Sequence, residues 1–305
     1  MTVASNQAGY EPNPSDAGVA PYLIRLGERT AAVGTVLCVG VDPDPASLPA
    51  GFSPDIRGIE AFAQLVLDAT LDSAAAVKPN LAFFEAFGSA GIAALERLRG
   101  RVPAQVPVII DAKRGDIGST AARQAAALFD GLGADAITVS PYLGEEAIGP
   151  LLERIDRFAY VLCRTSNPGA AELQGLVVAP EPDGSPSEPL YARVARRATA
   201  WGPGGTVGLV VGATAPAELA EIRTIAPGLA FLVPGVGAQG GDEAVVLRDG
   251  PATAPPAGAQ AGGGLLVNVS RSIARAAGTE SSGRDPGEAI AAAARDWARR
   301  LRVLP

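Results

Sequence analysis

"VPVIIDAKRGDIGSTAARQAAALFDGLGADAITVS", residues 106–140, decides the fold. It opens on a run of β-formers that ends in charge, continues through Ala, Gln and Leu at helical spacing, and closes on a second short apolar run. Two strands joined by a helix in so little chain must run parallel, because a parallel crossover needs a helix-sized connection. The same unit repeats in both directions. Upstream lie "TVLCVGVD" (35–42) and "AAAVKPN" (74–80); downstream lie "FAYVLCRT" (158–165), "TVGLVVGAT" (206–214), "LAFLVPG" (229–235) and "GLLVNVS" (264–270). With 106–113 and 134–140 these make eight strand candidates. Helical stretches follow them, among them "DIRGIEAFAQLVLDAT" after the first and "DPGEAIAAAARDWARRLRV" after the last. Eight strand–helix units predict an α/β fold of the (β/α)8 TIM-barrel type. A doubly wound sheet of the same content is the alternative, since closure is not visible in one sequence.

Composition agrees. The chain has 305 residues, 48% hydrophobic but only 5% aromatic, so Ala, Val, Leu and Ile must build the core, as they do in helix-covered parallel sheets. The net charge of −7 offers no basic face to a nucleic-acid backbone. No apolar run approaches the ~18 residues of a membrane span, and "MTVASNQAGYEPNPSD" has no signal-peptide pattern, so a cytoplasmic protein without membrane partners is expected. Cys38 and Cys163 sit within strand-like runs, where a thiol acts as a small hydrophobe. There is no histidine, which removes Ser-His-Asp triads, His-based zinc sites and imidazole bases together.

Residues 1–20 are polar, with Pro and Gly, and read as a flexible arm before a single catalytic barrel domain at 21–305. Two Pro/Gly-rich insertions interrupt the barrel. "VVAPEPDGSPSEP" (177–189) follows strand five and belongs on the C-terminal face, as a lid over the site. "DGPATAPPAGAQAGGG" (249–264) precedes strand eight and belongs on the opposite face, as an insertion without function.

Polar residues end several strands: Asp42 the first, Lys78 the second, Asp111 and Lys113 the third, Ser166 after the fifth, Ser270 and Arg271 after the eighth. In a barrel they converge on one mouth. Asp111 and Lys113 are two apart, so an extended strand points both to one face. Unit charges of opposite sign ~4 Å apart attract by roughly 4 kcal/mol at an effective dielectric of ~20, enough for Lys78, Asp111 and Lys113 to keep one another ionised. "PGVGAQGGD" (234–242) and Arg271 occupy the loops after strands seven and eight, the recurrent phosphate site of such barrels.

Together, "DAKRGDIGSTA", "CVGVDPD", "VKPNLAFFEAFG", "TSNPGAAELQ", "PGVGAQGGD" and "VNVSRSI" resemble orotidine 5'-phosphate decarboxylase, in its longer bacterial branch, over about residues 22–302. The resemblance implies cofactor-free and metal-free decarboxylation of orotidine 5'-monophosphate to uridine 5'-monophosphate in pyrimidine biosynthesis. Lys78, Asp111, Lys113 and Asp116 would form the charged catalytic array, with Lys113 the proton donor. The resemblance further implies a homodimer with shared active sites, Asp116 reaching the partner's site and Thr120 its ribose. Asp42 and Lys78 would bind ribose, Ser166 the pyrimidine, and Gln239 and Arg271 the phosphate. Ile117, Pro234 and Ser270 would complete the substrate-binding set. Ser270 stands where many members have glycine, and Arg114 is left as an ion-pair residue. Two other readings are a metal-dependent sugar-phosphate decarboxylase or synthase of the same barrel group, and a non-catalytic nucleotide-binding barrel. The former typically carries a carboxylate where this chain has Lys78. The latter would be expected to have lost Asp111 or Lys113.

Overall fold

In the computed structural model, which describes residues 21–180, 184, 186–278 and 285–303, each of the eight apolar runs is a strand. They are β1 (Leu37–Val41), β2 (Ala76–Pro79), β3 (Ile109–Arg114), β4 (Ala136–Val139), β5 (Phe158–Arg164), β6 (Val207–Val211), β7 (Ala230–Pro234) and β8 (Leu266–Val269). Every ladder is parallel, in the order β2-β1-β8-β7-β6-β5-β4-β3. Single bridges from Val77 to Val108 and from Asn80 to Asp111 draw the two ends together. There the Val77 N–H donates to the Pro107 carbonyl at 3.1 Å and the Leu81 N–H to that of Asp111 at 3.2 Å. The result is a nearly closed barrel, not a doubly wound sheet.

Aspartates start three of the surrounding helices. Asp55 accepts from two N–H groups of Ile56–Thr70, Asp242 does the same for Glu243–Asp249, and Asp285 for Pro286–Arg300. The stretch expected as one helix after β3 departs from plan: it is α-helical over Gly118–Ala125 and then widens to a π-turn over Ala126–Gly131.

Strand alternation divides the core in two. Outward residues such as Val39, Val77, Ile110, Ile137, Val161, Leu209, Phe231 and Val267 pack under the helices. Inward residues Cys38, Ala76, Ile109, Ala136, Phe158, Tyr160, Val210, Ala230 and Leu266 fill the barrel's lower half. Gly208 makes room there, since a Cβ would stand 2.7 Å from the Phe158 ring. Burial pushes both thiols up, Cys38 to about 12, so they remain neutral packing groups.

The floor of the barrel is sealed by a helix that strand reading does not anticipate. In Tyr22–Val33, Tyr22 stacks on Phe158 at 4.8 Å between centroids and its hydroxyl lies 3.1 Å from that of Tyr160. Ala252 and Ala257, from the 249–264 insertion, join this cluster. That insertion therefore lies on the face opposite the strand C-termini, as expected, but it is part of the core. Residues 1–20 lie outside the described residues. Of the 177–189 segment, Val177–Val178 pairs antiparallel with Glu188–Pro189 as a short ribbon.

Asp135 ties the floor helix to the barrel. Its carboxylate accepts from Arg25 at 2.7 Å and from the Val108 N–H at 2.8 Å, with Arg99 at 3.5 Å. Asp135→Ala removes the carboxylate that two half-buried guanidinium groups and the Val108 amide share, and should cost about 3 kcal/mol. A urea midpoint unchanged from wild type would show that the floor does not depend on this contact.

Candidate active site

The inward phase of several strands turns from apolar to polar at the C-terminal mouth. On β2, Ala76 is followed at the same phase by Lys78 and Asn80; on β8, Leu266 is followed by Asn268 and Ser270. The polar members, Lys78, Asn80, Asn268 and Ser270, line a cavity of about 320 Å³.

Its centre is a three-residue ion network. Lys78 Nζ donates to Asp111 Oδ2 at 2.9 Å, and Lys113 Nζ donates to Asp111 Oδ1 at 2.6 Å. Lys78 is only 4% exposed. Burial alone would pull its ammonium down, but Asp111 and Asp42 outweigh that and hold its pKa above that of an ordinary lysine. Burial likewise disfavours the Asp111 anion, yet Lys78 and Lys113 keep its carboxyl well below the usual carboxylate range. With one partner held low and the other high, this pair stays ionised throughout the neutral range.

Extended-strand alternation is not what joins Asp111 to Lys113. Ile110 pairs with Ile137 and Arg114 with Val139, so three residues of β3 face the single residue Thr138 of β4. Within this bulge Lys113 has φ +48°, the only positive φ at a non-glycine residue among the described residues. Left-handed backbone at a lysine costs on the order of 1–2 kcal/mol. The strand has bent to aim Lys113 while Ala112 packs into the outer core. Arg114 beyond it is paired with Glu85, as its ion-pair reading anticipated.

Of the expected site residues, Asp42, Lys78, Asp111, Lys113, Ser166, Pro234, Gln239, Ser270 and Arg271 all line the cavity. Asp42 Oδ1 is buried without a hydrogen-bond partner. Gly235 (φ +101°) allows close approach: a Cβ there would be 3.0 Å from Gln239 Oε1 and 3.2 Å from Ser166 Cβ. Asp116, Ile117 and Thr120 do not line it. They sit at the turn after β3, where Asp116 accepts from the Ile117 N–H at 2.7 Å, Ile117 is 64% exposed and Thr120 is exposed. Val177–Val178 and Glu188–Pro189 of the segment expected as a lid also stay outside the lining, to which the loop after β5 contributes Thr165, Ser166 and Asn167.

Sequence reading missed Asn80, Thr138, Thr165, Asn167 and Asn268, all of which line the cavity. Asn80 stands two residues beyond Lys78 and Asn268 two before Ser270, so period two, carried one step further, finds both. Asn268 Oδ1 is buried and unpartnered. Among the described residues no three His, Cys, Asp or Glu side chains gather as ligands for a metal ion. No helix among them is long and apolar enough to cross a membrane.

Known proteins are similar to this chain in sequence and fold. The family described as "Orotidine 5'-phosphate decarboxylase / HUMPS family" matches residues 35–285. The orotidine 5'-phosphate decarboxylase of Roseiflexus castenholzii is 50% identical over 267 residues, covering 87% of this chain and 90% of that protein. The solved OMP decarboxylase of Leishmania donovani is 38% identical with a TM-score of 0.74, covering 93% of this chain and 100% of that one. The UMP synthase of the same organism is 41% identical with a TM-score of 0.74; the match covers 91% of this chain but spans only 55% of that longer one.

Proposed function

The chain belongs to the orotidine 5'-phosphate decarboxylase family and is a carboxy-lyase of that class, and on that premise we propose that its reaction runs on the Lys78–Asp111–Lys113 network, completed by Asp116 of a second copy. The observation that carries this reading is the pair of lysine ammonium groups hydrogen-bonded to the two oxygens of one carboxylate inside the cavity.

The substrate is orotidine 5'-monophosphate and the product uridine 5'-monophosphate. Cleavage of the bond between C6 and its carboxylate releases carbon dioxide and leaves the electron pair on C6, in the plane of the ring, where no π-system absorbs it. A cation close to C6 lowers that barrier, and a proton must then be delivered there. Lys113 supplies both: its side chain is half exposed to the cavity and Asp111 fixes its direction. The ammonium gives its proton to C6 and recovers one from water. Asp111 faces the departing carboxylate and orients Lys113. Lys78 keeps Asp111 ionised and, with Asp42, holds the ribose hydroxyls.

Ser166 hydrogen-bonds the pyrimidine, beside Pro234. Gln239, the Ser270 N–H and Arg271 hold the phosphate, whose binding energy, remote from C6, serves to exclude water. The exposed turn carrying Asp116, Ile117 and Thr120 supports a homodimer with shared sites: these side chains avoid their own cavity, and the apolar Ile117 lies open beside them. Residues 21–305 act as one catalytic domain. Its phosphorylated substrate and product fit a cytoplasmic enzyme, with no nucleic-acid partner.

The test is conversion of orotidine 5'-monophosphate by the purified full chain in the presence of excess chelator. We expect uridine 5'-monophosphate and carbon dioxide at an undiminished rate. Activity that disappears with chelator and returns only with a divalent ion would defeat the reading in favour of a metal-dependent sugar-phosphate enzyme.

A further inference from the structure

Thr138 is buried in β4, within an otherwise apolar strand, and its hydroxyl makes three hydrogen bonds. It accepts from the Ala112 N–H at 3.1 Å and from the Lys113 N–H at 3.0 Å, and it donates to Asp111 Oδ1 at 2.8 Å. One side chain thus satisfies two consecutive amides and one carboxylate oxygen. The reason lies in the register. Three residues of β3 stand opposite Thr138 alone, so the bulge takes the amides of Ala112 and Lys113 out of the ladder. Buried amides without acceptors are costly, and a left-handed lysine backbone persists only where its surroundings over-determine it.

The structure assigns Thr138 as the positioning residue that holds the β3 bulge, and through it the Lys113 ammonium, in reacting geometry. This rests on the reading of Lys113 as the proton donor. The Thr138 hydroxyl touches both ends of the Asp111–Lys113 unit: the backbone of Lys113 on one side, and on the other the carboxylate oxygen to which Lys113 Nζ also donates. Valine has the same shape but offers neither an acceptor for the amides nor a donor to Asp111. The bulge can then relax toward negative φ, and the Lys113 side chain leaves its direction. Serine keeps the hydroxyl. The phosphate and ribose contacts are made by other strands, so ground-state binding is spared.

The experiment compares wild type, Thr138→Val and Thr138→Ser, as full chains, for kcat and KM with orotidine 5'-monophosphate and for the dissociation constant of uridine 5'-monophosphate. Misplacing a reacting group by about an ångström costs on the order of a hundredfold, so Thr138→Val should lose about that in kcat. Its KM and nucleotide affinity should stay within about threefold, and Thr138→Ser should recover kcat to within about threefold of wild type. A Thr138→Val enzyme as fast as wild type overturns the assignment, and so does a Thr138→Ser enzyme as slow as Thr138→Val. If the valine variant does not fold, Thr138→Ala takes its place in the same comparison with serine. An active wild type with indifferent Thr138 variants removes this inference alone; a wild type inactive toward orotidine 5'-monophosphate removes the premise with it.

Discussion

Lys113→Ala should lower kcat by about 10⁵-fold, combining the ~10²–10⁴ of a positioned proton donor with the ~10²–10³ of a charge placed where electron density develops. The cavity should survive the change, because Lys78 and Thr138 still hold Asp111 from its other sides. Uridine 5'-monophosphate, which carries no carboxylate at C6, should therefore bind within about tenfold of its wild-type affinity, since uniform binding and transition-state stabilisation separate at this residue. Rate measurements together with product titration check both halves. A variant that keeps more than about a hundredth of wild-type kcat would move the proton donor elsewhere, because no single displaced side chain of that importance leaves so much behind.

Mixing two dead enzymes should restore life to a fraction of their sites. If Lys113 acts within its own subunit and Asp116 in the neighbour's site, the Lys113→Ala and Asp116→Ala homodimers are each close to inactive. In a hybrid dimer, the Lys113→Ala chain lends its intact Asp116 to the subunit that retains Lys113, which completes one site, while the other site carries both defects. With random reassortment about half the dimers are hybrids with one working site of two, so roughly a quarter of wild-type activity should return. Exchange of differently tagged chains establishes that subunits have reassorted. Confirmed exchange without recovered activity would show that Asp116 does not act across an interface.

Much of this was legible in residues 106–140 and their repeats, because strand burial on both faces and helix-length spacing leave a plain record in residue type. The convergence of Asp42, Lys78, Asp111, Lys113, Ser166, Ser270 and Arg271 followed from barrel topology alone, since parallel strands bring all their C-terminal ends to one mouth. Local irregularity was not legible. The two-residue spacing of Asp111 and Lys113 led to the right neighbourhood through the wrong geometry, for a straight strand was assumed where a bulge exists. Thr138 was passed over because a threonine among Ala, Ile and Val reads as an ordinary β-former, and only the register reveals the amides that need it. Tyr22–Val33 went unnoticed because its partners are distant: Tyr22 meets Tyr160 across 138 positions. The parts given to Asp116, Ile117 and Thr120 came from family resemblance, and no spacing rule reaches a residue that leaves its own cavity.

The distance between Tyr22 and its partners also bears on synthesis. Helix Tyr22–Val33 finds Tyr160 only after 138 further positions have been made, and Ala252 and Ala257 much later. Later still, the carbonyl of Leu301 accepts from the Thr35 hydroxyl at 2.9 Å and from the Val36 N–H at 3.0 Å. Contacts 266 positions apart are slow to form, because the loop they close is long. Until the last strand has been made, the nascent chain therefore holds an open sheet and an undocked helix, with apolar surface open to other chains. This protein's exposure to aggregation is accordingly concentrated during its manufacture, and chaperone demand should depend more on elongation rate than on the equilibrium stability of the finished barrel.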